Sequence, residues 1–471
     1  MNPTYLTRRQ FVKTTAIGAG AFALMPASKV LGANEQVRIA HIGCGGRGNS
    51  LSGKFDRISG VKVAAICDPD ANHVRKMARK YPDAFATQDP REVLERDDVD
   101  AIISASTNHW HALLTIWACQ AGKHVFIEKP VSHTVYEGVK MTEAARKYDR
   151  IVSSGFQNRS CGGLTPFFES LHQGRWGEVK AIRVLTYRNR NSIGKRDRPL
   201  SPPESVNYDV WLGPGADLPI MRPRFHYDWH WDYNTGDGDL GNQGPHETDL
   251  ARWALGDPMS LPDTVECMGG RFAWDDAGNT PNMLLVRMMY GDVPITCETI
   301  NLKRPNYRGV GVGVIVTCEN GEFRGGRGGG KVFAPDGSEL ARWGGNQNAH
   351  YGKFIQALRA GDRNVLTSEV ESAAYSSGLA HISNIAYRTG SQVAHAEVLE
   401  RFGHDEDLQE SINRYADIRK GGGVEESVSW TYGPKLTFDS SQMQFVGEGS
   451  GPANQLVTRE YREGFEVKDE V

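Results

Sequence analysis

The sequence has no long run of like charge. Its formal net charge is −3 at pH 7, and the charged residues that make up 24% of its 471 positions are scattered. Nucleic acid and anionic membrane surfaces are bound through clustered positive charge, so the sequence predicts neither as a partner of the processed protein. The chain is long enough for two domains with sizeable cores.

Paired cysteines and metal-binding motifs are also missing from the sequence. The seven cysteines are odd in number, widely spaced and never arranged as C-x-x-C: Cys44, Cys67, Cys119, Cys161, Cys267, Cys297 and Cys318. This pattern argues against a disulfide framework and against a zinc site. His226 and His230 stand four residues apart, but no H-E-x-x-H motif accompanies them, so we predict no metal.

The N-terminal segment, residues 1–33, has the layout of an export signal. "TRRQFVK" (residues 7–13) is followed by a weakly apolar run that is too short and too rich in glycine to span a membrane well. Arg8 and Arg9, with Phe11, indicate the twin-arginine type, which carries folded proteins. Reduced thiols agree with folding before transport. We therefore predict an exported, periplasmic protein that the twin-arginine machinery recognises.

Residues 34–159 predict a dinucleotide-binding domain. Short apolar runs such as "VRIAHIG", "KVAAICD", "VDAIISAS" and "HVFIEKP" alternate with amphipathic stretches. Buried β-type runs separated by helices indicate a parallel sheet that is covered on both faces. The prediction is a doubly wound α/β domain of the Rossmann type.

The pattern of apolar and polar residues changes in residues 160–420. Long β-type stretches follow one another with few helices between them, which predicts an α+β domain with a largely antiparallel open sheet. The glycine-rich run "RGGRGGG", residues 324–330, is flanked by strand-like sequence and is interpreted as a hairpin turn in preference to a phosphate loop. Residues 421–471 are polar and are expected to form an extension on the surface or against another subunit.

A dinucleotide motif follows the first predicted strand. Gly43, Gly45 and Gly48 stand in the G-x-G-x-x-G register, ahead of a predicted helix. The glycines allow a tight turn and a close approach to pyrophosphate. Asp68 ends the next predicted strand, where an acid bonds the adenosine ribose, which favours NAD over NADP. Arg47 could reach a phosphate and leaves NADP use open.

Several further motifs resemble the Gfo/Idh/MocA family. These are "STNHWH", "EKP", "GFQNRS", "GRWGEVKAIRV" and "GDLGNQGPHETDLARWALG", which together cover most of residues 37–390. The resemblance implies an NAD-dependent oxidoreductase acting on a secondary hydroxyl of a sugar or sugar derivative. With the glycine turn, it implies cofactor binding by Gly43, Gly45, Gly46, Arg47, Gly48, Asp68, Thr107, Asn108, His111, Glu128 and Gln157.

The resemblance also assigns the catalytic residues. Lys129, in "EKP", would hydrogen-bond the hydroxyl being oxidised and stabilise an alkoxide. The family usually carries an aspartate and a histidine four residues apart on one face of a helix turn, and here these are Asn242 and His246. His246 would be the general base, whereas Asn242 cannot ionise. Sugar contacts are expected from Lys129, Arg159, Tyr227, Trp229, Trp231, Asn242 and His246.

Three functions follow from these residues. The first is the sugar dehydrogenase. The second is a glycosidase that oxidises C3 transiently, eliminates the aglycone, adds water and reduces the sugar again, as the NAD-dependent α-N-acetylgalactosaminidases do. The third is a sugar-binding protein without activity, for which Asn242 is the only support. Export favours tightly bound NAD, because free NAD is scarce outside the cytoplasm, and the resemblance implies a homo-oligomer.

Overall fold

A computed structural model describes residues 36–471 of the chain. The predicted signal peptide, residues 1–33, lies outside the described residues. The first domain contains a six-stranded sheet whose strands all pair in parallel, in the order β3-β2-β1-β4-β5-β6. Its strands are β1 (Val37–Ile42), β2 (Val61–Cys67), β3 (Phe85–Thr87), β4 (Ala101–Ser104), β5 (His124–Ile127) and β6 (Val152–Ser154).

Helices cover both faces of this sheet, as the buried strand sequences predict. They are α1 (Gly46–Phe55), α2 (Ala71–Ala78), α3 (Pro90–Leu94), α4 (His111–Gln120) and α5 (Val135–Lys147). Three of them begin where the sequence supplies a capping side chain: Asp70, Asp89 and Thr134 each accept a hydrogen bond from a main-chain N–H of the first turn. The doubly wound domain is confirmed, with the short edge strand β3 as an addition.

The second domain contains a sheet of eleven strands. Ten of them run in the order β14-β13-β12-β11-β7-β10-β9-β8-β16-β15, and β17 pairs with β16. All pairs are antiparallel except β7 with β10, which confirms the largely antiparallel open sheet. The strands are β7 (Val179–Tyr187), β8 (Thr264–Gly270), β9 (Met283–Tyr290), β10 (Val293–Ile300), β11 (Val312–Cys318), β12 (Gly321–Gly326), β13 (Gly329–Phe333), β14 (Glu339–Gly344), β15 (Ser391–Val393), β16 (Trp430–Asp439) and β17 (Gln444–Val446).

The glycine-rich run forms the hairpin that its flanking sequence predicts. Strands β12 and β13 pair through Gly325 with Gly330 and Gly326 with Gly329, so Arg327 stands in the tight turn between them. No helix begins at this turn, and the run is therefore a hairpin and no phosphate loop.

Helices also cover both faces of the second sheet. The helices of this domain are α6 (Thr165–His172), α7 (Tyr208–Leu212), α8 (Gly238–Asn242), α9 (Pro245–Ala254), α10 (Ala349–Ala360), α11 (Val370–Arg388), α12 (His395–Phe402), α13 (Glu406–Gly421) and α14 (Ser450–Asn454). Apolar residues of α6, α9 and α11 form one core with the sheet, and those of α12 and α13 form another with β8, β9 and β16. Helix α10 instead packs on the first domain, where Tyr351 and Phe354 meet Phe55 and Phe126.

Residues 421–471 do not form a separate unit in the structure. Strand β16 lies inside the large sheet between β8 and β15, and its Trp430 is fully buried. Residues 457–471, here called the C-terminal strap, return to the first domain, where Phe465 packs edge-on against Trp110. The alternation of Trp430, Leu436 and Phe438 with polar residues is what suits β16 to a sheet.

Residues 196–235, here called the roof segment, leave the second domain between β7 and α8 and cross to the first. The N–H of Ala71 donates to the Ser205 carbonyl (2.8 Å), and the N–H of Asn207 donates to the Pro69 carbonyl (2.8 Å). The strap fastens this segment, because the Arg462 guanidinium donates to the Gly213 carbonyl at 2.9 Å. The two domains are thereby tied together along one side of the cleft between them.

All seven cysteines are buried and unpaired, in agreement with the prediction of free thiols. Among the helices that the structure describes, none combines the length and the apolar character needed to cross a membrane.

Candidate active site

A cavity of about 620 Å³ opens where the carboxyl ends of the parallel strands face the second domain. In doubly wound sheets this edge is where ligands bind. Most of the residues predicted from the sequence line it: Gly43, Gly45, Gly46, Arg47, Asp68, Thr107, Asn108, His111, Glu128, Lys129, Gln157, Tyr227, Trp229, Asn242 and His246. Gly48, Arg159 and Trp231 do not.

The glycine turn between β1 and α1 has the shape that a dinucleotide requires. Gly43 has a φ of +83°, and a Cβ there would lie 2.6 Å from the Ala105 carbonyl carbon. A Cβ on Gly48 would collide with the carbonyl oxygen of Gly43, so Gly48 serves packing and does not face the cavity. At Gly46 the space is open, which leaves room for a pyrophosphate beside the free amides of the helix start. The turn fits the cofactor that the sequence predicts.

Asp68 is buried at the end of β2, at the far end of the cavity. Its carboxylate accepts from the N–H of Cys44 (2.7 Å) and of Asp70 (2.8 Å), and the His73 ring lies 3.2 Å away. These contacts hold the carboxylate rigidly while each oxygen keeps acceptor capacity for a ribose hydroxyl. A fixed negative charge at this point repels the 2′-phosphate of NADP and favours NAD.

Arg47 lines the cavity and forms an ion pair with Glu128. Its Nε donates to the Glu128 carboxylate at 2.7 Å, and its Nη2 lies 3.4 Å from the Tyr351 hydroxyl. Glu128 also accepts from the Gln157 amide at 3.3 Å. The three residues predicted for cofactor binding, Arg47, Glu128 and Gln157, thus form one bonded group beside the glycine turn.

Lys129 extends from the end of β5 into the cavity. Its peptide bond to Pro130 is cis, and its ammonium donates to the main-chain carbonyl of Asn242. Burial lowers the pKa of Lys129, and the charge of Glu128 partly opposes that effect. An ammonium carries three N–H donors, so Lys129 keeps two for a ligand oxygen.

His246 lines the cavity with a ring that is free to act as a base. Its Nδ1 is buried and has no hydrogen-bond partner among the described residues. Burial lowers the pKa of His246 well below its ordinary value, and the positive charges of Lys129, Arg327 and Arg47 lower it further. The imidazole is therefore neutral near pH 7 and can accept a proton.

Asn242 and His246 do not share one helix turn, which corrects the expectation from the sequence. Helix α8 ends at Asn242, and α9 begins at Pro245. Asn242 supplies its carbonyl to Lys129, while its side-chain amide lies 3.3 Å from the Asp239 carboxylate. Pro245 explains the break, because its nitrogen carries no N–H to continue the helix, and Gly244 allows the close approach of the Leu240 carbonyl.

Asn108 and His111 shape the wall of the cavity next to Lys129. The Asn108 amide donates to Asp237 at 3.2 Å. The His111 ring nitrogens lie 2.6 Å from the Pro130 carbonyl and 3.0 Å from the Ser106 carbonyl. His111 thereby joins the chain after β4 to the chain after β5 and fixes the position of Lys129.

Of the three aromatic residues predicted to contact the sugar, two line the cavity and one does not. Tyr227 and Trp229 line the cavity, and the Trp229 ring stacks on His230 with 3.6 Å between centroids. Trp231 is buried beneath the guanidinium of Arg190, 5.3 Å from its ring centroid, and does not reach the cavity. The aromatic run folds as a 3-10 turn, so neighbouring rings point to different sides.

Arg159, which the sequence predicts as a sugar contact, does not line the cavity. Its guanidinium is buried and bonds Asp249 at 2.8 Å and Asp257 at 2.6 Å. A guanidinium that two carboxylates occupy has little capacity for a substrate, and it instead anchors α9 from behind the site.

The cavity also contains arginines that carry no motif. Arg188, Arg190 and Arg327 line its second-domain side. Arg190 is bonded to Asp239 at 2.7 Å. Arg188 follows β7 and Arg327 lies in the glycine-rich turn, so only the pairing of distant strands brings them to the site.

The fold and the cavity define a dinucleotide-binding protein with a second, sheet-based domain that completes the site. Sequence profiles agree: one described as "oxidoreductase family, NAD-binding Rossmann fold" matches residues 37–156, and one described as "oxidoreductase family, C-terminal alpha/beta domain" matches residues 186–419. The chain belongs to the Gfo/Idh/MocA family of oxidoreductases.

Two curated relatives resemble part of the chain. The alpha-N-acetylgalactosaminidase of Shewanella oneidensis is 32% identical over 171 residues, which cover 30% of this chain and 37% of that protein. The myo-inositol 2-dehydrogenase of Thermotoga maritima is 31% identical over 150 residues, which cover 32% of this chain and 45% of that protein. The similarity thus spans less than half of either relative.

Solved structures share the fold over a larger part of the chain. The WlbA dehydrogenase from Bordetella pertussis, in complex with NADH and UDP-GlcNAcA, has a TM-score of 0.56 at 17% identity, covering 73% of this chain and 94% of that one. The aldose-aldose oxidoreductase from Caulobacter crescentus, complexed with glycerol, has a TM-score of 0.55 at 15% identity, covering 73% and 95%. At these identities the likeness shows the fold alone.

Proposed function

We propose that this protein oxidises a secondary hydroxyl of a sugar or sugar derivative with NAD as the hydride acceptor. One observation carries the proposal: Lys129 and His246 come from different domains and line the cavity that also holds the glycine turn. The family membership and the dehydrogenase relative support the reaction class. NAD, when bound, supplies the hydride-accepting ring, and the residues of the chain manage the hydroxyl.

Lys129 and His246 have complementary roles in this reaction. The Lys129 ammonium stabilises negative charge on the hydroxyl oxygen, and a charge held in a protein cavity acts more strongly than one in open water. The neutral His246 imidazole accepts the proton. The Asn242 carbonyl orients Lys129, which makes Asn242 a positioning residue through its main chain, where an aspartate side chain is usual.

We propose further that NAD remains tightly bound between turnovers. Val210, Trp211 and His226 of the roof segment line the cavity, and the His226 ring lies 2.9 Å from the Asp70 carboxylate. The adenosine end of the site is thus closed by a segment of the second domain, which the strap fastens. A cofactor enclosed in this way leaves only when that segment moves.

An NAD-dependent glycosidase is the second candidate function. It has specific support in the alpha-N-acetylgalactosaminidase relative. Transient oxidation at C3 acidifies the C2 hydrogen, elimination releases the aglycone, and water addition and reduction restore the sugar. The same Lys129 and His246 would handle the C3 hydroxyl, so the geometry serves both candidates.

One experiment separates these functions. The purified protein is first examined by mass spectrometry for retained NAD and then mixed with a panel of glycosides, with NADH absorbance and aglycone release followed together. Net NADH supports the dehydrogenase, and aglycone without net NADH, with solvent deuterium at C2, supports the glycosidase. Retained NAD that no sugar reduces, even in a single turnover, would contradict both and leave a non-catalytic sugar-binding protein.

We also propose that the protein is exported to the periplasm by the twin-arginine machinery and acts as a homo-oligomer. The leader sequence with Arg8 and Arg9 and the seven free thiols of the folded chain support export, and the open sheet of the second domain supports the oligomer. Replacing both arginines with lysine should hold the protein in the cytoplasm, while Lys13→Arg should not. Light scattering of the processed protein tests the oligomer, and a monomer mass would contradict it.

A further inference from the structure

Two arginines of the second domain reach the cavity from the same end of the large sheet. Arg188 directly follows β7, and Arg327 stands in the turn between β12 and β13. Strand β11 lies between them: Thr186 pairs with Val312, and Val314 pairs with Gly325. Neighbouring strands lie about 4.8 Å apart, so the two main chains are separated by about 10 Å. Two arginine side chains span that gap with ease.

The main chain of both arginines is held in place. The Asn301 amide donates to the Arg188 carbonyl at 3.1 Å, and the Arg188 N–H donates to the Ile300 carbonyl at 3.2 Å. On the other side, the N–H of Gly345 donates to the Gly328 carbonyl at 2.8 Å. The same carbonyl packs against Gly163, where a Cβ would collide with it. The main chain therefore holds the starting point of each arginine side chain, while both side chains are exposed.

Neither guanidinium has a carboxylate partner within residues 36–471. The other arginines of the cavity are neutralised, because Arg190 bonds Asp239 and Arg47 bonds Glu128. Asp68 and Glu128 are the acids that line the cavity in the described chain, and they belong to the cofactor end and to Arg47. The substrate half thus holds unpaired positive charge on Arg188 and Arg327, in addition to Lys129.

The unpaired charge acts on the catalytic base. The positive charge of Arg327 is one of the causes that lower the pKa of His246. A bound anion beside Arg327 would offset this charge and make His246 a stronger base only while such a ligand is present. Cofactor phosphates do not need these arginines, because the open amides of the glycine turn already face the pyrophosphate position.

We propose that the sugar bound at this site carries an anionic group, a carboxylate or a phosphate or sulfate ester, whose oxygens Arg188 and Arg327 bind together. Planar guanidinium groups match such oxygens with paired, charge-assisted hydrogen bonds. The inference rests on the proposed function in taking a sugar as the ligand. It adds the substrate class, sugar acids and acidic sugar esters, and two residues that determine it.

The test measures binding, which does not require turnover. Methyl glycosides of galactose, glucose and N-acetylgalactosamine are compared with their C6 carboxylates, 6-phosphates and 6-sulfates by calorimetry on the NAD-loaded protein. At least one anionic sugar should bind about 10- to 100-fold more tightly than its neutral counterpart. Arg188→Gln and Arg327→Gln should each remove most of this preference, and added salt should weaken it.

Arg324→Gln is the matched control. Arg324 lies on the same hairpin, bonds Glu322 at 2.7 Å and does not line the cavity, so its loss changes the net charge equally and should leave the preference intact. Carboxylate, phosphate and sulfate are told apart by which series binds best. All variants are checked for retained NAD by mass spectrometry.

The proposal is wrong if no anionic sugar exceeds its neutral counterpart, or if both glutamine variants keep the preference. It is also wrong if the variants lose NAD in place of the anionic sugar, because the arginines would then serve the cofactor phosphates. If neutral sugars reduce NAD and the protein shows no preference for anionic sugars, the oxidoreductase function would still hold. An anionic sugar that binds tightly but yields neither NADH nor aglycone would remove the function and keep the charge preference.

Discussion

Replacing Lys129 with methionine keeps the length of the side chain and removes its charge. Among residues 36–471 the Lys129 ammonium bonds one protein group, the Asn242 carbonyl, and no carboxylate there forms an ion pair with it. Two of its donors therefore remain for the substrate oxygen. The variant should lose a charge-assisted contact that becomes strongest as the hydroxyl turns into an alkoxide.

The size of the loss follows from the burial of the site. Two unit charges about 3 Å apart attract by about 5 kcal/mol at an effective dielectric constant of about 20. Part of this is lost because Lys129 must weaken its bond to the Asn242 carbonyl. About 3 to 4 kcal/mol remains, and this predicts a fall of about 10² to 10³-fold in the rate of the hydride step, as for one donor of an oxyanion site.

The Lys129→Met variant should be as stable as the wild-type protein or more stable, although its activity falls. Burial lowers the pKa of Lys129, which means that the folded protein disfavours the charge that function requires. Methionine removes this cost and fills a similar volume, so the melting temperature should stay the same or rise. Retained NAD should also be unchanged, because Lys129 bonds neither the glycine turn nor Asp68.

Stopped-flow absorbance of bound NAD, after mixing with the best sugar of the panel, measures the step for either candidate function. Lys123→Met is the matched control, since Lys123 is a buried lysine at the opposite end of β5, bonded to the Arg96 carbonyl at 2.5 Å. Wild-type reduction of NAD in Lys129→Met, with the fold and cofactor intact, would refute the assigned role. Loss of NAD in that variant would show that Lys129 holds the cofactor, which contradicts its placement apart from the glycine turn and Asp68.

His246→Gln should lower the rate by about 10² to 10⁴-fold. In the wild-type protein, activity should fall only well below pH 6.5, because the pKa of His246 is depressed and the imidazole stays neutral above it. A fall in activity with a midpoint above pH 6.5 that is absent in the variant would contradict the buried, neutral imidazole. Gly43→Ala should abolish NAD retention through its φ of +83° and the 2.6 Å contact with Ala105, as read by mass spectrometry, and retained NAD would show that the turn tolerates a side chain. Phe465→Ala should remove the packing of the strap on Trp110, lower the stability by about 3 kcal/mol in urea unfolding and speed the exchange of bound NAD, whereas an unchanged exchange rate would disconnect the strap from the roof segment.

The cofactor half of the site could be predicted from the sequence because its determinants are local. A glycine turn, an acid at the end of the next strand and a lysine at the end of β5 are set by a few consecutive residues in a parallel sheet, and all such strand ends meet at one edge. Gly43, Asp68 and Lys129 accordingly lie where they were expected, and the hairpin at residues 324–330 follows from its flanking strands.

Contacts between residues that are far apart in the sequence determine which side chains line the substrate half of the cavity. Arg159 and Trp231 carry the chemistry of sugar binding, but the fold pairs Arg159 with Asp249 and Asp257 and turns Trp231 beneath Arg190. Arg188 stands in no motif, Arg327 stands in a glycine-rich run that predicts only a hairpin, and the two are 139 positions apart by residue number. The register of β7, β11 and β12 alone brings them together, because pairing between distant strands depends on the whole sheet and on no single stretch of sequence.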